Sequence, residues 1–190
     1  MQSEKIIERI VSWLKDYATK AGVKGYVIGV SGGVDSGVVS TLCAMTGLKV
    51  LALEMPIRQQ KDQASRALEH IDFLKNKFPN VEGFTVDLNE PFEALYKTFD
   101  VKDDEFPAEK LAFANTRSRL RMLTLYYYGQ INGLLVCGTG NKVEDFGIGF
   151  YTKYGDGGVD VSPIADLYKT EVYALARALD LPESIKNAIP

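Results

Sequence analysis

The chain has 190 residues, a formal net charge of −3, one histidine and two cysteines. That length suits one domain with a sizeable core, and the acidic balance argues against a broad nucleic-acid-binding surface. A lone histidine excludes mechanisms that need a pair, while Cys43 and Cys137, far apart and inside apolar runs, read as buried thiols of a reducing compartment.

No stretch approaches the roughly 18 apolar residues of a membrane span. The charged start "MQSEKIIERI" does not read as a signal peptide. The expectation is a cytoplasmic protein with neither membrane nor nucleic acid as partner.

In chain order, residues 4–21 set Ile6, Ile10, Leu14, Tyr17 and Ala21 at helical spacing, and Gly22 ends that helix. "YVIGV" (26–30) is a short buried strand, and "KVLALEMP" (49–56) a second, stopped by Pro56. "QASRALEHIDFLKNKF" (63–78) is an amphipathic helix whose mixed face makes His70 an ordinary surface or half-buried residue. "GFTVDL" (83–88) is a third strand and "PFEALYKTF" a short helix. The polar run "DVKDDEFP" (100–107) reads as a loop or mobile segment. A long helix rich in arginine and apolar residues follows from Ala108 to about Gln130, then a fourth strand, "GLLVCG" (133–138), and a last clear helix at 165–180. The closing "LPESIKNAIP" begins a new turn or helix. Strands alternating with helices predict an α/β fold, a doubly wound parallel sheet with helices on both faces, in a single domain spanning 1–190.

The chemistry starts at "SGGVDS" (31–36), where the first strand turns into a helix. In open α/β sheets ligands bind beyond the carboxyl ends of the strands. Gly32 and Gly33 let backbone N–H groups approach an anion and allow positive φ, while Ser31 and Ser36 add hydroxyls and the helix N-terminus its dipole. Asp35 would repel a bare phosphate, so the loop makes sense for phosphate that arrives with Mg²⁺. The plainer reading is a strand-to-helix turn capped by Ser and Asp. It is neither G-x-x-x-x-G-K-[ST] nor G-x-G-x-x-G.

"SGGVDS" after a first strand resembles the ATP pyrophosphatases, which cleave ATP between the α and β phosphates and hold the leaving pyrophosphate in this loop. Within that superfamily, "NTRSRLRM" (115–122), "GTGNKVE" (138–144) and "TKYGDGGVDVSPIADLYKTEV" (152–172) resemble the ammonia-dependent NAD synthetases, as does "MPIRQQKD" after the second strand. The resemblance runs from about residue 25 to the end. It implies a Rossmann-like, adenine nucleotide alpha hydrolase-like fold that lacks the family's C-terminal segment. It also implies NAD biosynthesis by ATP-dependent amidation of deamido-NAD with ammonia through an acyl-adenylate. Only about 25 residues precede the first strand, too few for a glutaminase domain, so ammonia is the expected nitrogen source. A homodimer is implied, with the first helix and the arginine-bearing helix as interface candidates. Two alternatives remain: an ATP pyrophosphatase that adenylates another substrate, such as a tRNA base or XMP, and a non-catalytic nucleotide-binding module.

The resemblance also assigns residues. ATP falls to Ser31, Gly32, Gly33, Asp35, Ser36, Met55, Gln60, Arg121, Thr139 and Lys169. Deamido-NAD falls to Asn115, Arg119, Phe150 (stacked on the nicotinate ring), Lys153, Asp156 and Asp160, with Asp156 also receiving ammonium. Asp35, Arg121, Lys169 and Asp156 carry the catalysis. Asp35 and Glu144 hold Mg²⁺, although one extra residue between Glu144 and the "GFYTK" block makes Asp145 a rival ligand. The plain reading of Arg119 and Arg121, two apart on a helix, is a solvated pair, and that of Asp156 and Asp160 is turn chemistry. Tyr126, Tyr127 and Tyr128 read as core or interface packing rather than ligand stacking.

Overall fold

The computed structural model describes residues 2–59, 61–99 and 106–188. Gln60 and most of the polar 100–107 run therefore lie outside the described residues. The elements alternate: α1 (Ser3–Ala21), β1 (Gly25–Gly29), α2 (Val34–Met45), β2 (Lys49–Glu54), α3 (Lys61–Lys77), β3 (Val81–Thr85), α4 (Asn89–Thr98), α5 (Pro107–Asn132), β4 (Leu134–Val136), α6 (Lys169–Ala178) and α7 (Glu183–Lys186). The four strands are parallel in the order β3-β2-β1-β4. Strand order reverses between β1 and β4, which opens a crevice beyond their carboxyl ends.

Alternation along each strand divides the core. Tyr26, Ile28, Val50 and Ala52 pack on one face with α1, α2, α3, α6 and α7. Val27, Leu51 and Leu53 pack on the other, under Phe92 of α4 and Met122 and Leu125 of α5. The doubly wound architecture is as the alternation predicts. The apolar stripe of α1 ends at Gly22, which takes φ 69° and closes the helix with N–H bonds to Ala18 and Thr19.

Three expectations are corrected. The last clear helix begins at Lys169 rather than 165, because the Glu171 carboxylate accepts from the Tyr168 N–H (2.9 Å) and fixes the start there. The fourth strand is shorter than 133–138: it covers Leu134–Val136, and Cys137 just beyond it still donates to Val27 of β1 while bridging Val161 in parallel. His70 is not on the surface. It is wholly buried, with Nε2 2.9 Å from the Ser40 hydroxyl. That hydroxyl already donates to the Ser36 carbonyl (2.7 Å), so Nε2 carries the proton, and Nδ1 has no partner among the described residues. Burial lowers the His70 pKa to about 4.

The two cysteines meet across the same face, their sulfurs 3.5 Å apart and both buried as expected. Burial pushes the Cys137 thiol well up, with Cys43 adding to the shift. No helix of the described residues is long and apolar enough to cross a membrane.

Candidate active site

The phosphate-type loop sits where β1 gives way to α2. Gly32 takes φ 80°, whereas Gly33 is extended at φ −94° and precedes the helix without a side-chain cap. Of the two glycines, Gly32 alone needs the left-handed freedom. The loop is held by its serines: the Ser36 hydroxyl donates to the Gly33 carbonyl (3.0 Å), and Ser31 Oγ accepts from the Gly33 N–H (3.3 Å). The uncapped first turn of α2 leaves its amides for an incoming anion.

Around this turn lies a cleft of about 790 Å³ lined by Ser31, Gly33, Asp35, Met55, Thr139 and Glu144, among others. α5 contributes Arg121 to the same cleft, α6 contributes Lys169, and the glycine-rich loop contributes Phe150 and Asp156. Residues from every quarter of the sequence therefore converge at the switch point.

The centre of the arrangement is Lys169. Its ammonium donates to an Asp35 carboxylate oxygen and to Glu144 Oε1 at 3.0 Å. Burial would lower the Lys169 pKa, but the bonds and charges of Asp35 and Glu144 outweigh it and hold it above the ordinary value. Asn141 links Asp35 to the backbone turn that carries Glu144. Its side-chain N–H₂ donates to Asp35 (3.2 Å), and its carbonyl caps the π-helical turn Lys142–Gly147 by accepting from Val143 and Glu144. Asp145, the rival, turns its carboxylate over Gly140 instead. Burial raises its pKa, and Asp156, Glu144 and Asp35 reinforce the shift.

Arg121 is not solvated. Its Nε donates to the Met55 carbonyl (2.9 Å), and burial, with Arg117 alongside, lowers its pKa against the opposing charge of Glu54. The i, i+4 spacing sets Arg117 and Arg121 on the face that lines the cleft.

Asn115 and Arg119, also four apart, face the 150s loop. Asn115 accepts from Thr152 (2.8 Å), and Arg119 Nε donates to the Lys153 carbonyl (3.1 Å). Asp156 is held by Ser118, whose hydroxyl donates to it at 2.5 Å. Lys153 sets its ammonium over Tyr154 at 5.1 Å. Asp160 spends both oxygens on the protein, accepting from the Val136 N–H (2.8 Å) and the Tyr126 hydroxyl (3.0 Å). Burial and Asp160 raise the Tyr126 pKa to about 12. Asn115, Arg119, Lys153 and Asp160 thus hold the rim together and do not line the cleft, whereas Phe150 does and is 76% exposed. Tyr128 packs edge-on against Phe84, and Tyr127 is exposed.

Sequence reasoning missed Arg66, Arg117 and Asn141. The first two look like helix-surface charges until the helices are placed. Asn141 stands inside a quoted block, but its reach to Asp35 spans 106 residues.

Among the described residues no group of three or more His, Cys, Asp or Glu side chains is arranged to hold a metal ion. Two carboxylates gathered on one cation nevertheless fit Mg²⁺, which needs only one or two with substrate phosphates and water.

Known proteins resemble this chain in sequence and fold. A family model described as NAD synthase matches residues 6–190. An NH(3)-dependent NAD(+) synthetase of Finegoldia magna is 38% identical over 191 residues, spanning 100% of this chain and 75% of the relative. The structure of NMN synthetase from Francisella tularensis superposes with a TM-score of 0.89 at 34% identity, covering 100% of this chain and 76% of that one. An NH3-dependent NAD synthetase from Campylobacter jejuni, in complex with nitrate ion, gives 0.86 at 33% identity, with 98% and 77% covered. Matched by that family model along nearly its whole length, and by a relative at 38% identity over three quarters of the relative's own length, the chain belongs to the NAD synthase family.

Proposed function

We propose that this chain is an ammonia-dependent NAD synthetase, amidating deamido-NAD at the expense of ATP in NAD biosynthesis. The observation that carries the reading is the convergence of Asp35, Glu144 and Lys169 on the rim of the uncapped α2 turn, with Arg121 in the same cleft.

The chemistry that this reading implies is as follows. The nicotinate carboxylate attacks the α-phosphorus of ATP, forming an acyl-adenylate and breaking the bond to pyrophosphate. Ammonia then attacks the activated carbonyl, AMP leaves, and a proton is lost from nitrogen. Charge gathers on the departing pyrophosphate, where the amides after Gly33, the Ser31 hydroxyl, Arg121 and Lys169 meet it, while the buried Ser36, its hydroxyl donated to the Gly33 carbonyl, serves ATP by shaping the turn. Met55 and Thr139 border the nucleoside, and Gln60 is assigned there too. Asp35 and Glu144 would hold Mg²⁺, which supplies Lewis-acid stabilisation of the phosphates. Phe150 offers an exposed ring to the nicotinate, and Asp156 a carboxylate for ammonium. Asn115, Arg119, Lys153 and Asp160 serve the acid substrate by shaping the rim. No side chain acts as nucleophile, so positioning and electrostatics carry the catalysis.

The test is direct. Incubated with ATP, Mg²⁺, ammonium and deamido-NAD, the protein is expected to release NAD, AMP and pyrophosphate in equal amounts by chromatography. No amide product would overturn the assignment. Nicotinate mononucleotide should be run in parallel, because a structural relative is an NMN synthetase, and preference for it would move the substrate to the mononucleotide.

The dimer belongs to the same reading. α5 exposes Leu123, Tyr127 and Ile131 at i, i+4 and i+8, an apolar stripe that a second copy would cover. α1 adds Trp13 and Tyr17, whose rings meet at a tilt of 49° with centroids 5.7 Å apart. Light scattering on the protein is expected to give twice the chain mass, and the pair Leu123→Glu with Ile131→Glu to give the monomer. A wild-type monomer at micromolar concentration would remove the dimer. A location in the cytoplasm is consistent with the two thiols staying reduced.

A further inference from the structure

The trio at the loop has an electrostatic deficit. Lys169 brings one positive charge, while Asp35 and Glu144 bring two negative ones. An anion arriving there meets a net negative group before any metal is counted. Arg121 is committed through Nε to the Met55 carbonyl, and Arg58 is held bidentate by Glu93 at 2.6 and 2.9 Å.

Arg66 of α3 is anchored as Arg121 is, through Nε to a carbonyl, but from the helix layer on the opposite face of the sheet. It is half-buried, lines the same cleft, and its Nε donates to the carbonyl of Gly32 at 3.3 Å, the left-handed residue of the loop. Among the described residues no carboxylate pairs with it and its terminal guanidinium nitrogens have no hydrogen-bond partner. A guanidinium anchored through Nε presents its remaining donors as a fixed fork, a geometry suited to phosphate oxygens. Neighbouring positions explain how it reaches the loop. Ala67 and Ile71 bury the next face of α3 against the core, which leaves Arg66 at the cleft edge of that helix.

We propose that Arg66 is a phosphate-contacting residue that binds the pyrophosphate end of ATP and the released pyrophosphate from the β2 side of the loop, opposite in charge to the Asp35–Glu144 pair. Gly32 gives it a second duty, since the same side chain that meets the phosphate also holds the turn. The role rests on the synthetase reading for its substrate, but binding of inorganic pyrophosphate tests it without turnover.

Calorimetric titration of magnesium pyrophosphate into the wild-type protein and into Arg66→Met is the experiment. Loss of a charged hydrogen-bonding partner should weaken binding by roughly tenfold or more, with an unchanged circular dichroism spectrum. Arg66→Lys, which keeps the charge but not the fork, should fall between the two, and it carries the test if Arg66→Met does not fold. In steady-state assays the KM for ATP should rise in parallel, while the KM for the acid substrate stays within about twofold of wild type. Pyrophosphate affinity within twofold of wild type in both variants would overturn the proposal. So would equal rises in the two KM values. A wild-type protein that binds pyrophosphate but makes no amide would remove the synthetase reading and leave Arg66 as a pyrophosphate ligand.

Discussion

Asp35→Asn is expected to slow amide formation by about 10²–10³-fold or more, while the protein stays folded. The side chain is nearly isosteric, and its oxygen can still accept from the Asn141 amide. What vanishes is one negative charge at the point where Lys169 and Glu144 meet. Without that charge the loop loses half of its carboxylate pair, and Lys169 is left to Glu144 alone. The defect should fall on the rate and on the Mg²⁺ concentration for half-maximal rate, with the KM for deamido-NAD little changed. Initial rates across a Mg²⁺ series check it, together with a thermal melt. A near-normal rate would show that Asp35 is only the first-turn acid of α2.

Gly25→Ala is expected to be the most damaging small substitution for stability, at about 2–6 kcal/mol from backbone strain and overpacking together. Gly25 opens the central strand and is paired on both sides, to Lys49 of β2 and Leu134 of β4. Its φ is 150°, and a Cβ there would collide with the Lys49 carbonyl. Backbone cannot swing aside as a long side chain can. Gly47→Ala serves as the control, since it shares a positive φ but a Cβ there meets nothing within 4 Å. Urea midpoints of the two variants should differ clearly, and equal midpoints would show that the sheet edge near Lys49 relaxes.

What could be read from the residues was local. The strand-to-helix turn at Ser31–Ser36 announces itself because its glycines, hydroxyls and carboxylate are contiguous, and the four parallel strands show as apolar runs between helical periods. Boundaries shifted where distant partners meet, as at Cys137, which bridges Val161 just past the end of β4. His70 was misplaced for the same reason. Its helix shows a mixed face, but the hydroxyl that satisfies it is 30 residues earlier on α2. In the candidate site, Asp35, Glu144, Lys169 and Arg121 line one cleft, and Glu144 rather than Asp145 shares the lysine with Asp35. The division of α5 into a cleft face (Arg117, Arg121) and a rim face (Asn115, Arg119) needed the helix to be set in place. Nothing in the chain marks Arg66 as different from any other charged residue of an amphipathic helix.

The two ends of the cleft differ in how much they must reorganise. α2 is buried nearly throughout, from Ser36 to Ala44, and its Ser40 and Thr41 hydroxyls close on its own carbonyls. A helix so enclosed has no room to rotate or slide, so the phosphate end is a fixed seat whose entropy cost was met on folding. The segment that would receive the acid substrate is different in kind. It has no helix or strand from 148 to 160, and it exposes Ile148, Phe150, Tyr151 and Tyr154. Ordering those side chains around a ligand costs about 0.5–1.5 kcal/mol for each one immobilised. On the proposed reading, ATP would meet a rigid seat, while affinity for the acid substrate would carry the cost of ordering this exposed loop.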